Sequence, residues 1–212
     1  MSLFHSDKGE VRRSGRIYLR PLLRSDFSAY VDLERASEAW LEPWIPTPPS
    51  DRYSRRRFLE QVRRAKRESQ TGTYFRFGIF RAVDDRLAGA ITASGVHYGA
   101  MWSCYVGYWI GAEFAGQGLI PEALCLLFDY LFMEVALHRV QISIMPQNAP
   151  SRRVVEKLGL RDEGIALRYL KIAGDWRDHI RYAILSEEYL ARKEELFQRF
   201  VASRPQAAEA LR

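Results

Sequence analysis

The sequence predicts one α/β domain: a mixed, mostly antiparallel sheet with helices on both faces. Three observations carry that expectation. Tyr74–Phe80, Arg86–Val96 and Trp102–Ile110 are strand-like runs separated only by short turns, at Asp84-Asp85 and from Tyr98 to Met101, so they form an antiparallel meander. Tyr105–Ile110 then leads through a glycine-containing turn into an apolar helical stripe, and a further strand follows at Val140–Met145. A strand reached through a helix crossover lies parallel to its predecessor. Finally, Arg161–Ile172 and Trp176–Leu185 make a hairpin about Gly174-Asp175, and a last helix closes the chain.

Composition sets the bounds. With 47% hydrophobic and 27% charged residues in 212, the chain has the makings of one good core. No Gly-, Ser- or Pro-rich linker splits the middle, so residues 14–202 are expected to be a single domain, with loose ends at 1–13 and 203–212. Cys104 and Cys125 follow no metal or disulfide spacing and are expected as buried free thiols. His5, His97, His138 and His179 are not at metal-ligand spacing, so no metal is expected. No apolar run has the length of a signal peptide or a membrane span, which points to a cytoplasmic protein with no membrane contact. The net charge of +6 favours polyanions such as nucleotides or RNA.

In chain order, Ile17 and Leu19 begin the first strand, and Ser25-Asp26 can cap a helix through Tyr30, Val31 and Glu34. From Trp40 to Pro49, four prolines exclude helix and stiffen a loop carrying Trp40 and Trp44. Those tryptophans suit either a substrate wall or pins against the core. Asp51–Ser69 reads as a helix with Phe58, Leu59, Val62 and Ala65 inward. Its outer face, from Arg55 to Arg67, holds seven cations against Glu60 and Glu68; this is a solvated face or a contact for rRNA. The central helix follows Pro121 and sets Leu124, Leu127, Phe128, Leu131, Phe132 and Val135 on one stripe. Pro150–Leu158 is a short helix ended by Gly159. The last helix starts at Ser186-Glu187-Glu188 and buries Tyr189, Leu196, Phe197 and Phe200.

The stretch from Tyr105 to Val135 carries the chemistry. A strand, a turn with Gly116 and Gly118, and a helix start together make an anion site, because unpartnered N–H groups point out of the helix N-terminus and glycine admits close approach. The turn has no lysine, so it is no P-loop, and its glycine spacing is not a dinucleotide fingerprint. The Ser, His and Asp present follow no nucleophile-elbow pattern, which argues against a hydrolase.

Ala115-Gly116-Gln117-Gly118-Leu119-Ile120 resembles the acyl-CoA motif Arg/Gln-x-x-Gly-x-Gly/Ala of the GNAT superfamily of N-acetyltransferases, with Ala115 where Arg or Gln is usual and Ile120 where a small residue is usual. Leu41–Pro46, His138–Asn148, Ser151, Glu156–Leu160, Glu163-Gly164 and Gly174–His179 are similar to the RimJ/RimL branch, closest to the RimJ type, which acetylates N-terminal amines of ribosomal proteins. The resemblance covers Arg16 to Leu185. It implies the GNAT fold, a sheet splayed between its two central parallel strands, and acetyl-CoA as cosubstrate. Tyr108, Trp109 and Ile110 would then line the pantetheine arm, and the amides of Gly116, Gln117, Gly118 and Leu119 would hold the pyrophosphate. Asn148 and Ser151 match the family's Asn-x-x-Ser beside pantetheine and thiol; the same pair suits a helix N-cap. Trp40, Glu42, Trp44 and Trp176 fall where the family holds the acceptor. Family members often carry a glutamate base on the strand before Asn148, but that stretch is Gln141-Ile142-Ser143-Ile144-Met145 here; Glu42 on the proline loop is a candidate for base or for ammonium recognition, or a solvated loop carboxylate. The family's tyrosine position holds Val154-Val155, which leaves Ser151 as candidate proton donor. The implied partner is a protein N-terminus, foremost of a ribosomal protein. A small amine or antibiotic as acceptor, or a ribosome- or RNA-binding role on the same fold, are the alternatives.

Overall fold

In the computed structural model, which describes residues 12–201, eight strands form one sheet. They are β1 (Arg12–Arg13), β2 (Ile17–Pro21), β3 (Phe75–Arg81), β4 (Leu87–His97), β5 (Ser103–Ile110), β6 (Arg139–Ile144), β7 (Arg161–Ile172) and β8 (Asp175–Leu185). The order across the sheet is β1-β2-β3-β4-β5-β6-β8-β7, with only β5 and β6 parallel. The helices are α1 (Phe27–Ala36), α2 (Glu38–Leu41), α3 (Arg55–Gln70), α4 (Leu119–Met133), α5 (Ala149–Lys157) and α6 (Ser186–Phe200).

Side-chain alternation along β3 assigns the helices to the two faces. Phe75 and Phe77 meet the Tyr130 ring of α4 edge-on at 5.4 and 5.7 Å. Arg76, between them, points the other way, to Gln61 of α3 and the Tyr30 hydroxyl of α1. On the α4 face, Leu124, Leu127, Phe128 and Leu131 are wholly buried, and Phe132 packs on Tyr189 of α6 at 5.2 Å. Each such leucine contributes about 2 kcal/mol by leaving water. On the opposite face Phe58 of α3 packs against Phe27 and Tyr30. Cys104 and Cys125 are free and buried, and burial lifts both thiols to about 12, so neither is a thiolate nucleophile.

Local chemistry moves several boundaries. Arg12 and Arg13, expected in a loose arm, pair with Leu19 and Tyr18; the rest of the expected loose ends, 1–11 and 203–212, lies outside the described residues. The proline-rich stretch is not wholly extended: α2 and a short 3-10 turn, Glu42–Trp44, occupy its start. Pro43 stands in the first turn, where no N–H is needed, and Pro46, Pro48 and Pro49 come only afterwards. α3 starts at Arg55, not Asp51, because Ser54 Oγ accepts from Arg57 N at 3.2 Å. Asp51 instead meets the Arg56 guanidinium, while Glu60 and Glu68 take Arg56 and Arg64, so part of this basic face is neutralised within the helix. Asp26 does not cap α1 through its side chain; Arg20 holds its carboxylate at 2.7 and 2.8 Å and Leu23 N–H donates to it. The hairpin turns at Ala173-Gly174, with φ of 49° and 88°, so Ile172 pairs with Asp175. Two consecutive positive φ values are what a two-residue hairpin loop requires.

Candidate active site

β5 and β6 pair only from Ser103 to Tyr105 with Arg139 to Gln141. Beyond that, β5 stays on β4 as far as Ile110 and β6 stays on β8 as far as Ile144, so the two strands part. A cavity of about 490 Å³ opens between them. Tyr108, Trp109 and Ile110 form one wall, and Gly116, Gly118 and Leu119 lie at one end. Asn148 and Ser151 face it from α5, and Trp40 and Trp44 lie at the far end. The parted strand edges carry main-chain groups with no neighbouring strand, a place where an extended amide-bearing chain pairs as a strand would.

At the near end, Gly116 and Gly118 both have φ of 76°, which L side chains rarely adopt. A Cβ on Gly116 would meet nothing within 4 Å, and Gly118 is the N-cap of α4. Open space thus lies at Gly116, just before the helix N-terminus, where first-turn amides have no intrahelical partner. Arg16 lies beside this turn. Its Nε is 2.8 Å and its Nη2 2.6 Å from the wholly buried Glu122 carboxylate, and its Nη1 donates to Gln117 O at 3.1 Å. Gln117 does not line the cavity, and its side-chain amide donates to Glu113 O. Two α5 cations one turn apart, Arg153 and Lys157, also line the cavity.

In the middle, the structure separates two roles that sequence leaves merged. Asn148 is the N-cap of α5: its Oδ1 accepts the Ser151 N–H at 3.1 Å. The Ser151 hydroxyl takes no part in capping; it sits 2.8 Å from the Tyr108 hydroxyl. Burial pushes the Tyr108 phenol well above its usual range, against the lowering effect of the Ser151 hydrogen bond, so it stays protonated. Either hydroxyl can donate across this contact, and the Tyr108 hydroxyl also lies 3.4 Å from Ser151 O; when the phenol donates, the serine proton is free for another acceptor. Asn148→Ala is accordingly expected to cost about 1 kcal/mol of stability, read as a lower denaturation midpoint at unchanged slope.

His179, set aside above as a metal ligand, belongs to this cavity. It is 3% exposed, lines the cavity, and holds Nδ1 3.0 Å from Arg177 O. A carbonyl only accepts, so Nδ1 carries a proton, and a base role falls to Nε2. Ser143 is on the same face, as the pairing of Ser143 with Arg181 and of Ile144 with Ile180 requires. Its buried Oγ has no hydrogen-bond partner and it lines the cavity. Glu42 and Trp176 are not part of this arrangement. Glu42 heads the 3-10 turn with its side chain in solvent while Leu41 takes the buried position, and Trp176 is 61% exposed on the outer end of the hairpin. The far end is bridged: Ala173 N–H donates to Ile45 O at 3.3 Å, tying the hairpin turn to the tryptophan loop. Among the described residues no group of three His, Cys, Asp or Glu is placed to hold a metal, and no helix is long and apolar enough to cross a membrane.

A family model for the acetyltransferase (GNAT) domain matches residues 16–161. The probable N-acetyltransferase YjcK of Bacillus subtilis is 35% identical over 176 residues, 81% of this chain and 95% of that protein. The [ribosomal protein uS5]-alanine N-acetyltransferase of Escherichia coli is 28% identical over 187 residues, 88% of this chain and 96% of that one. Among solved structures, Mycobacterium smegmatis RimJ in complex with CoA-disulfide superposes with a TM-score of 0.82 at 31% identity, covering 88% of this chain and 91% of that chain.

Proposed function

The chain belongs to the GNAT family of N-acetyltransferases, and from that premise we propose that it moves an acetyl group from acetyl-CoA to the N-terminal α-amine of a protein, foremost a ribosomal protein. The observation that carries this reading is the single cavity between β5 and β6, which offers an anion-binding helix start at one end and a bridged, aromatic mouth at the other. The Ile45–Ala173 bond closes that mouth on one side, which suits a slender chain end better than a side chain on a broad surface.

Bound acetyl-CoA supplies an acyl group activated as a thioester. The residues of this chain do the rest. The amides of the Gly116–Leu119 turn and of α4 receive phosphate, and the free edges of β5 and β6 hold the pantetheine amides as an added strand. A main-chain N–H on the Tyr108–Ile110 edge faces the developing oxyanion. Ser151, held by Tyr108, hydrogen-bonds the departing sulfur and passes it a proton that the serine regains from solvent in the cavity, so that no alkoxide is left. His179 Nε2 receives the proton of the attacking amine, directly or through a water held by Ser143. An α-ammonium loses its proton near 7.7–8.0 and a lysine near 10.4, so a weak base suffices for the first and not for the second. For that reason His179→Gln is expected to lower kcat by only about tenfold, measured near neutral pH with a peptide acceptor. An unchanged rate would leave water as the base.

The acceptor assignment is tested with two peptides of one sequence: the first with a free N-terminus and no lysine, the second blocked at the N-terminus and carrying a lysine. Acetylation of the first alone is expected. Equal rates on both, or acetylation of a polyamine and of neither peptide, removes the assignment.

A further inference from the structure

We propose that Arg16 is a pyrophosphate-binding residue, a guanidinium brought to the start of α4 from 101 residues before Gln117 in the sequence. The inference rests on the reading that acetyl-CoA binds at this turn. α4 begins with an electrostatic conflict. Its N-terminus attracts anions, yet Glu122 in its first turn is a wholly buried carboxylate. Arg16 offsets that charge through Nε at 2.8 Å and Nη2 at 2.6 Å. Its third contact, from Nη1 to Gln117 O, draws the guanidinium along the glycine turn. Nη2 then lies 3.7 Å from where a Cβ on Gly118 would stand. A guanidinium has five N–H donors, and these contacts engage three. One donor on each terminal nitrogen remains, and the side chain is 46% exposed. That is the forked arrangement that two phosphate oxygens accept.

The backbone that carries Arg16 is fixed on both sides. Ser14 Oγ accepts from Ile17 N–H at 3.1 Å and donates to Ile17 O at 2.9 Å, and Arg16 O accepts from Ala82 N–H at 2.8 Å. Arg16 is thus held before any ligand arrives, so little ordering cost falls on binding. Glu122 keeps the guanidinium against the turn and prevents it from extending into water.

Arg16→Gln alone does not test this, because it removes the guanidinium from beside the buried Glu122 carboxylate and so changes the charge that a phosphate meets at the turn. The informative variant is Arg16→Gln with Glu122→Gln, which keeps the net charge at the turn and a side-chain hydrogen bond between the two positions. Three ligands are titrated by calorimetry against the wild type and this double variant: acetyl-CoA, dephospho-acetyl-CoA, which lacks the ribose phosphate, and S-acetylpantetheine, which lacks the pyrophosphate too. Kd is expected to rise by about tenfold or more for the first two and to stay constant for the third, which also reports that the site is folded. Wild-type affinity in the double variant would mean that Arg16 serves only to balance Glu122, and would overturn the proposal. A loss confined to acetyl-CoA would move Arg16 to the ribose phosphate, and an equal loss with all three ligands would make it structural; either outcome overturns it. A wild-type protein that binds none of the three would remove the functional reading itself.

Discussion

Acetyl-CoA affinity is expected to fall by about a hundredfold or more in a Gly118→Asp variant that still folds. Gly118 has φ of 76°, a conformation that costs most L residues about 1–2 kcal/mol but that Asp tolerates better than most. The nearest heavy atom to an added Cβ is Arg16 Nη2 at 3.7 Å, so there is room for the side chain. The new carboxylate would lie at the N-terminus of α4 and against the Arg16 guanidinium, where it takes the place of a phosphate and repels the one that remains. Gly118→Ala is the control. It carries the same backbone strain without the charge, and a loss of only a few-fold is expected. Unchanged affinity in a folded Gly118→Asp protein would put the phosphates elsewhere on the molecule.

The second large effect is on turnover. Ser151→Ala is expected to lower kcat by roughly a hundredfold at saturating acetyl-CoA, with the denaturation midpoint almost unmoved. The two readouts separate because the α5 cap is the Asn148 side chain and the Ser151 main-chain N–H, both of which alanine preserves. What alanine removes is the hydroxyl 2.8 Å from Tyr108. Tyr108→Phe leaves that hydroxyl in place but frees its rotor, so a smaller loss of about tenfold in kcat is expected with Kd for acetyl-CoA unchanged. A normal kcat in Ser151→Ala would leave solvent as the proton source for the departing thiolate.

Features encoded by local periodicity were legible in the sequence. The meander of β3, β4 and β5 and the crossover through α4 to a parallel β6 follow from strand spacing and one helical stripe. The glycine turn before α4 was legible because glycine is required where φ is positive beside a helix start. The turn at Ala173-Gly174 was placed one residue late because Ala173 adopts positive φ without being glycine. The helical turn at Glu38–Trp44 was hidden by prolines that lie mostly after it. Contacts between distant segments left no local signal. Arg16 meets Gln117 and Glu122 across 101 and 106 residues, and Tyr108 meets Ser151 across 43. Strand parity shows which face Tyr108 is on, but not what α5 sets opposite it. Glu42 shows the converse: its letter suits a base, yet the 3-10 turn gives Leu41 the buried position and Glu42 the solvent.

The claim that the acceptor is a protein N-terminus is tested most directly by mass spectrometry of ribosomal-protein N-termini from cells with and without this chain. One or a few N-termini are expected to be acetylated only when it is present and active, and to lose the modification in the Ser151→Ala strain. N-terminal acetylation that is identical in all three strains, while a small amine in the same cells changes its acetylation, would contradict the assignment.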